Sequence, residues 1–193
     1  HRAQAVEGEL GVRALDERLR SDRVLHRLSP KFLFLIDDGG RLPLAPEAAD
    51  IAFLARSGQD GPCFAIHLGG KPAGCCAIED LCETAARLGE ACVQARGVSE
   101  GHLRMSDLVA RIGVDAVAHM AGFAGDPQAI SEPRQGTPPA LGAHALGLHA
   151  ALGLGIALGR LDATALHMLA DAAEAVGGEL RLSPWRAGRS ANP

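Results

Sequence analysis

Soft and basic side chains carry the most evident chemistry in this 193-residue chain. Its five cysteines, Cys63, Cys75, Cys76, Cys82 and Cys92, are crowded into one stretch. Thiolates bind soft metals or attack electrophiles, but an odd number in otherwise ordinary segments is not a disulfide framework. A reducing compartment, the cytoplasm, is the expectation, and free cysteine commonly packs there as a small buried hydrophobe. The histidines form no metal signature: His144 and His149 are five apart, His119 and His167 are isolated, and His-Glu-x-x-His is absent. His67 sits with Phe64 and Ile66 in a strand-like run, where its ring faces either a cleft or, by default, solvent. Asp37 and Asp38 are adjacent on a strand and so point to opposite faces. A turn role, with a carboxylate accepting a backbone N–H, suits them better than paired acid–base work. Neither a dinucleotide-binding glycine motif nor a Walker loop occurs, so no metal site and no catalytic residue is predicted.

The elements that must position these groups follow from composition and periodicity. Hydrophobic residues make up 47% of the chain but aromatic residues only 3%, with no Tyr, so the core is built from small aliphatic side chains. This is too apolar for disorder. A net charge of −4 excludes a strongly basic nucleic-acid binder while leaving room for a local cationic pocket. No apolar run reaches the roughly 18 residues of a membrane span. The chain starts at His1 with no signal peptide, and a longer parent sequence is expected.

Apolar spacing predicts a helix over residues 8–19 and strands over 31–36, 50–55 and 63–68, closed by Asp/Gly turns. Three such strands suggest an antiparallel meander. Helices are predicted from Asp80, a candidate cap, to Gly97, over 105–112 and over 115–119. Residues 127–142, with Pro127, Pro133, Pro138 and Pro139, form a linker. Beyond it, 145–158 is one bent strand or two strands joined at Gly153. Asp162 caps a helix stopped by Gly177 and Gly178, and 179–183 alternate as a strand. This tail is a β-α-β module of about fifty residues, too small to bury much alone and in need of a partner sheet. Strands followed by helices make the class α+β.

Three segments resemble one family together: Leu28-Ser29-Pro30-Lys31-Phe32-Leu33-Phe34, the turn Leu68-Gly69-Gly70-Lys71-Pro72-Ala73-Gly74, and Leu158-Gly159-Arg160-Leu161-Asp162 continuing to Gly178-Glu179-Leu180-Arg181-Leu182-Ser183-Pro184-Trp185-Arg186. The chain resembles the middle of the sirohaem nitrite/sulfite reductase family, specifically its precorrin-3B synthase branch. The resemblance implies a haem-binding-type domain over residues 1–126 and a ferredoxin-like half-domain over 143–193. It implies oxygen-dependent hydroxylation and lactone formation on precorrin-3A in cobalamin biosynthesis, in a protein of which this chain is a part. The alternatives are a fragment of a nitrite/sulfite reductase, or a subunit that binds tetrapyrrole or a partner without catalysis.

Lys31 matches the first lysine of the family's Arg-Lys-Phe-Lys stretch, and Leu33 stands where the reductases have the second. An ammonium there compensates tetrapyrrole carboxylates; otherwise Lys31 flanks a strand with its charge in solvent. Arg181 and Arg186, with Trp185, lie along an edge that approaches the family's cofactor cleft, where an arginine pairs with a propionate. A solvated face for Arg181 and core packing for Trp185 are the competing roles, and Arg160 is a surface turn residue. The family's [4Fe-4S] cluster uses Cys-x5-Cys followed by Cys-x3-Cys in a final domain. Cys76 and Cys82 have the first spacing, but the second pair is missing. They are therefore expected to pack. The cluster ligands, and any sirohaem bridged to them, are expected with a further domain in cis or in trans.

Overall fold

In the computed structural model, residues 2–39, 49–58, 61–95, 104–123, 141–146, 149–156 and 159–180 are described. Alternation along residues 51–68 builds the centre of the fold. Strand β1 (Phe34–Asp37), β2 (Ile51–Gly58), β3 (Gly61–Leu68) and β4 (Lys71–Cys76) hydrogen-bond in that order into one sheet. Ile51, Phe53, Phe64, Ile66 and Leu68 share one face and are buried in the main core. Helices α1 (Arg2–Ser21), α2 (Leu81–Ala95), α3 (Met105–Ile112) and α4 (Val114–Met120) contribute the rest of that core. Their part includes Leu15, Leu81, Leu88, Met105, Leu108 and Val117. Burying each large aliphatic side chain contributes about 1.5–3 kcal/mol, which fixes the helices on this face.

The predicted meander needs correction. β2, β3 and β4 are antiparallel, but β1 runs parallel to β2, with Phe34 opposite Ile51 and Asp37 opposite Leu54. The stretch between Asp37 and Ile51 is long enough for the crossover of about a dozen residues that a parallel pair requires. β4 also begins inside the segment read as a glycine turn. Only Gly69 and Gly70 turn, at φ 55° and 83°, and two positive values make the tight hairpin that leads straight into β4. α2 begins after Asp80, whose carbonyl accepts the amide of Thr84 at 2.9 Å, as a capping position should.

The chain divides into two compact units, His1–Gly136 and Thr137–Pro193. Most of the proline-rich linker lies outside the described residues. In the second unit, β5 (Gly142–Leu146) and β6 (His149–Gly153) pair antiparallel, followed by α5 (Ala163–Ala175). The pairing runs from Gly142 opposite Gly153 to Leu146 opposite His149, so Gly153 ends β6 rather than joining two strands, and the described order is β-β-α. Asp162 caps α5 as predicted, its Oδ1 accepting the Ala165 amide at 2.7 Å, and Gly177 follows at φ 63°. Glu179 and Leu180 are not in a strand, and residues 181–193 lie outside the described part. No described residue of this unit is fully buried, and Met168 and Val176 are 68% and 81% exposed. No helix among the described residues is long and apolar enough to cross a membrane.

Candidate functional site

The β1–β2 and β3–β4 ends meet at a residue that sequence reading passed over. Asp50 is buried just before β2, and its carboxylate collects donors from two directions. Oδ2 accepts the Leu33 amide at 2.9 Å, and Oδ1 accepts the Met105 amide at 2.9 Å. The Arg104 guanidinium closes on both oxygens, with Nη2 to Oδ2 at 2.7 Å and Nε to Oδ1 at 2.8 Å. That charged hydrogen bond raises the Arg104 pKa further above its ordinary range. The main chain of Asp50 takes part too: its N–H donates to Leu33 O at 2.9 Å and its carbonyl accepts the Gly69 amide at 2.8 Å. In sequence Asp50 reads only as the first residue of a strand, and its role comes from the distant Arg104 and from the Leu33 and Met105 amides.

Lys31 stands two residues upstream of this junction. It is exposed on a turn whose geometry comes from Ser29, which is buried and accepts the Lys31 amide on Oγ at 3.2 Å. The strand predicted from position 31 starts only at Phe34, because Leu33 spends its amide on Asp50 and not on a neighbouring strand. Leu33 is 45% exposed. Lys31 therefore presents an ammonium to solvent beside a pinned backbone. Arg181 and Arg186, with Trp185, lie outside the described residues, and Arg160 is exposed in a loop.

The sheet face opposite the main core holds the remaining chemistry. Its small apolar patch comprises Ala52, Leu54 and Ala65, with Leu35 and Cys75 against them. By register, Asp37 of β1, Arg56 of β2, Cys63 and His67 of β3 and Cys75 of β4 project to this same side. His67 is 2% exposed, which corrects the solvent-facing default: its strand is central and covered on both faces. Asp37 accepts the Gly39 amide on Oδ1 at 2.8 Å, the turn role expected for it.

Burial pushes the Cys75 thiol up to about 11, helped by its hydrogen bond to Cys63 and opposed by the nearby Arg56 charge. Cys76, on the core side, is pushed by burial to about 12, and burial also raises Cys82. Cys76 lies in the main core, and the half-buried Cys82 packs against it. A four-thiolate cluster does not fit them, since no group of three or more His, Cys, Asp or Glu converges as a metal site among the described residues. A raised thiol pKa slows alkylation because only the thiolate attacks. At pH 8.5, Cys75 is expected to react with iodoacetamide roughly a hundredfold more slowly than a free cysteine. Its rate should keep rising past pH 10, as peptide mapping of quenched samples would show. A plateau near pH 9 would contradict the assignment. The linked stability is fully present below the unfolded-state pKa near 9 and is lost as pH rises through about 11 and 12.

The sequence matches no protein-family model, and no curated protein matches it significantly. A solved structure does match: that of the Mycobacterium tuberculosis NirA protein, with TM-score 0.63 and 19% sequence identity, covering 86% of this chain and 34% of that one. The chain thus spans about a third of the length of NirA (34%). At this identity the likeness establishes a shared α+β fold, and no residue roles.

Proposed function

We propose that this chain is the tetrapyrrole-holding part of a nitrite/sulfite reductase-type oxidoreductase. The observation that carries the reading is the fold it shares with NirA over 86% of its residues. The resemblance of the Lys31, Gly69-Gly70 and 158–186 segments to the sirohaem family supports it independently. Bound sirohaem supplies electron-transfer chemistry in such enzymes. The contribution of this chain is electrostatic: Lys31, exposed on its Ser29-fixed turn, pairs with a carboxylate of the macrocycle. The family resemblance alone assigns Arg181 and Arg186 to such carboxylates. The [4Fe-4S] cluster belongs to another part of the protein, because Cys76 and Cys82 lack convergent partners among the described residues.

A second reading, oxygen-dependent hydroxylation of precorrin-3A, is favoured by Leu33. It places an exposed apolar side chain where the reductases have a second lysine for a small anion. The two readings separate in the complete protein. Reduction of nitrite or sulfite with an artificial electron donor supports the first, and oxygen consumption coupled to precorrin-3A supports the second. Absence of both activities and of tetrapyrrole binding would sink the proposal.

Lys31→Ala is expected to weaken sirohaem binding about two- to fivefold, since one exposed ion pair contributes up to about 1 kcal/mol. The difference should shrink at high salt. Absorbance titration measures it, and an unchanged Kd would remove Lys31 from the site.

A further inference from the structure

β3 and β4 bring two cysteines to one place on the sheet face away from the main core. Ala65 is opposite Cys75, and Cys63 lies two residues before Ala65 on the same side. The two cysteines are thus diagonal neighbours, and their thiols share a hydrogen bond. Arg56 stands directly across from Cys63 on β2. Its Nη1 donates to the Ala55 carbonyl at 3.0 Å, while its Nε is buried with no partner among the described residues. Cys63 and Cys75 are free thiols and only half-buried, so small ions and reagents can reach them.

Two fates suit a pair of touching thiols, a disulfide or a shared soft ion. A disulfide requires Cβ atoms about 3.5–4.5 Å apart and a sulfur–sulfur bond near 2.05 Å. Diagonal neighbours on adjacent strands are separated by about 7–8 Å, somewhat less at Cβ, so closing that bond would drag the strands out of register. An ion bound to each sulfur at about 2.3 Å instead spans a sulfur–sulfur gap of up to about 4.6 Å. This matches thiols in hydrogen-bond contact. Ions that demand four donors, such as zinc, find no third His, Cys, Asp or Glu here among the described residues.

We propose that Cys63 and Cys75 form a two-coordinate thiolate site for a soft monovalent cation of the Cu(I) class, with Arg56 compensating its charge. Binding replaces the two S–H protons with two metal–sulfur bonds and releases both protons to solvent. No electron is transferred. Two thiolates and one monovalent ion carry a net charge of −1, and the adjacent guanidinium neutralises it. The site is independent of the tetrapyrrole reading, because none of its three residues belongs to the Lys31 region.

The test is an anaerobic titration of the reduced full chain with Cu(I) in competition with a bathocuproine chelator. One ion per chain should resist the chelator, with two protons released and two sulfur neighbours in X-ray absorption. Cys63→Ser and Cys75→Ser should each abolish chelator-resistant binding, while Cys82→Ser retains it. Arg56→Met should weaken binding about tenfold, as loss of a supporting partner does at metal sites, and Arg56→Lys should recover part of it. Failure to retain the ion would overturn the proposal. So would binding that survives either serine variant in a chain folded by circular dichroism, or three or more sulfur neighbours. If a serine variant does not fold, the sulfur count in the unmodified chain decides.

Discussion

Replacing Asp50 by alanine is expected to cost the first unit about 3–5 kcal/mol of stability, the range for breaking a buried, hydrogen-bonded ion pair. Arg104 accounts for only part of this, since its side chain is 36% exposed and can turn to water. The remainder comes from the amides of Leu33 and Met105, which lose their acceptor, at about 1–3 kcal/mol for each buried donor left unpaired. Arg104→Ala should therefore be milder than Asp50→Ala, because the carboxylate keeps both amides. Asp50→Asn should fall near the alanine variant, since its NH2 group must face one of the donors the carboxylate satisfied. Urea unfolding followed by circular dichroism would rank the three. Equal losses in Asp50→Ala and Arg104→Ala would show that the ion pair, and not the backbone amides, carries the junction.

Gly69→Ala should be the most damaging glycine substitution on the sheet, with a loss of about 3 kcal/mol. At φ 55° an L-residue pays about 1–2 kcal/mol for the left-handed backbone. The rest is steric: a Cβ at Gly69 would lie 2.6 Å from Ser106 Cα and 2.9 Å from Ser106 N. Both are backbone atoms of the first turn of α3, so no rotamer change relieves the clash. Gly122 is the internal control, with φ 66° and open space around the added Cβ. Its alanine variant should lose only about 1 kcal/mol. Matching thermal shifts in the two variants would mean that the turn and α3 are not in close contact.

The sequence carried most of the element list and little of the connectivity. Periodicity located α1, α2, α3, α4 and α5, and Asp162 announced its own cap three residues ahead of the amide it binds. β1 was legible as a strand but not as a parallel one, because pairing direction depends on a crossover that local patterning does not encode. Lys71-Pro72 disguised β4, since a proline next to two glycines reads as loop, yet Pro72 lies at the register shift between Ile66 and His67 where a missing N–H is tolerated. Lys31 was singled out by resemblance alone, with nothing in its spacing or surroundings to mark it. The Asp50–Arg104 pair was not, since 54 residues separate partners that neither spacing nor composition links. The same holds for Arg56, Cys63 and Cys75, whose convergence depends on the register of three strands.

Asp50 also has a consequence for how the first unit opens. Its carboxylate and main chain hold the amides of Leu33, Gly69 and Met105, and its own amide is held by Leu33. These four N–H groups come from segments far apart in sequence, yet each gives up its partner when Asp50 leaves its place. In hydrogen exchange they form one cooperative unit with a common opening free energy, so the approach to β1, the β3–β4 hairpin and the start of α3 detach together or not at all.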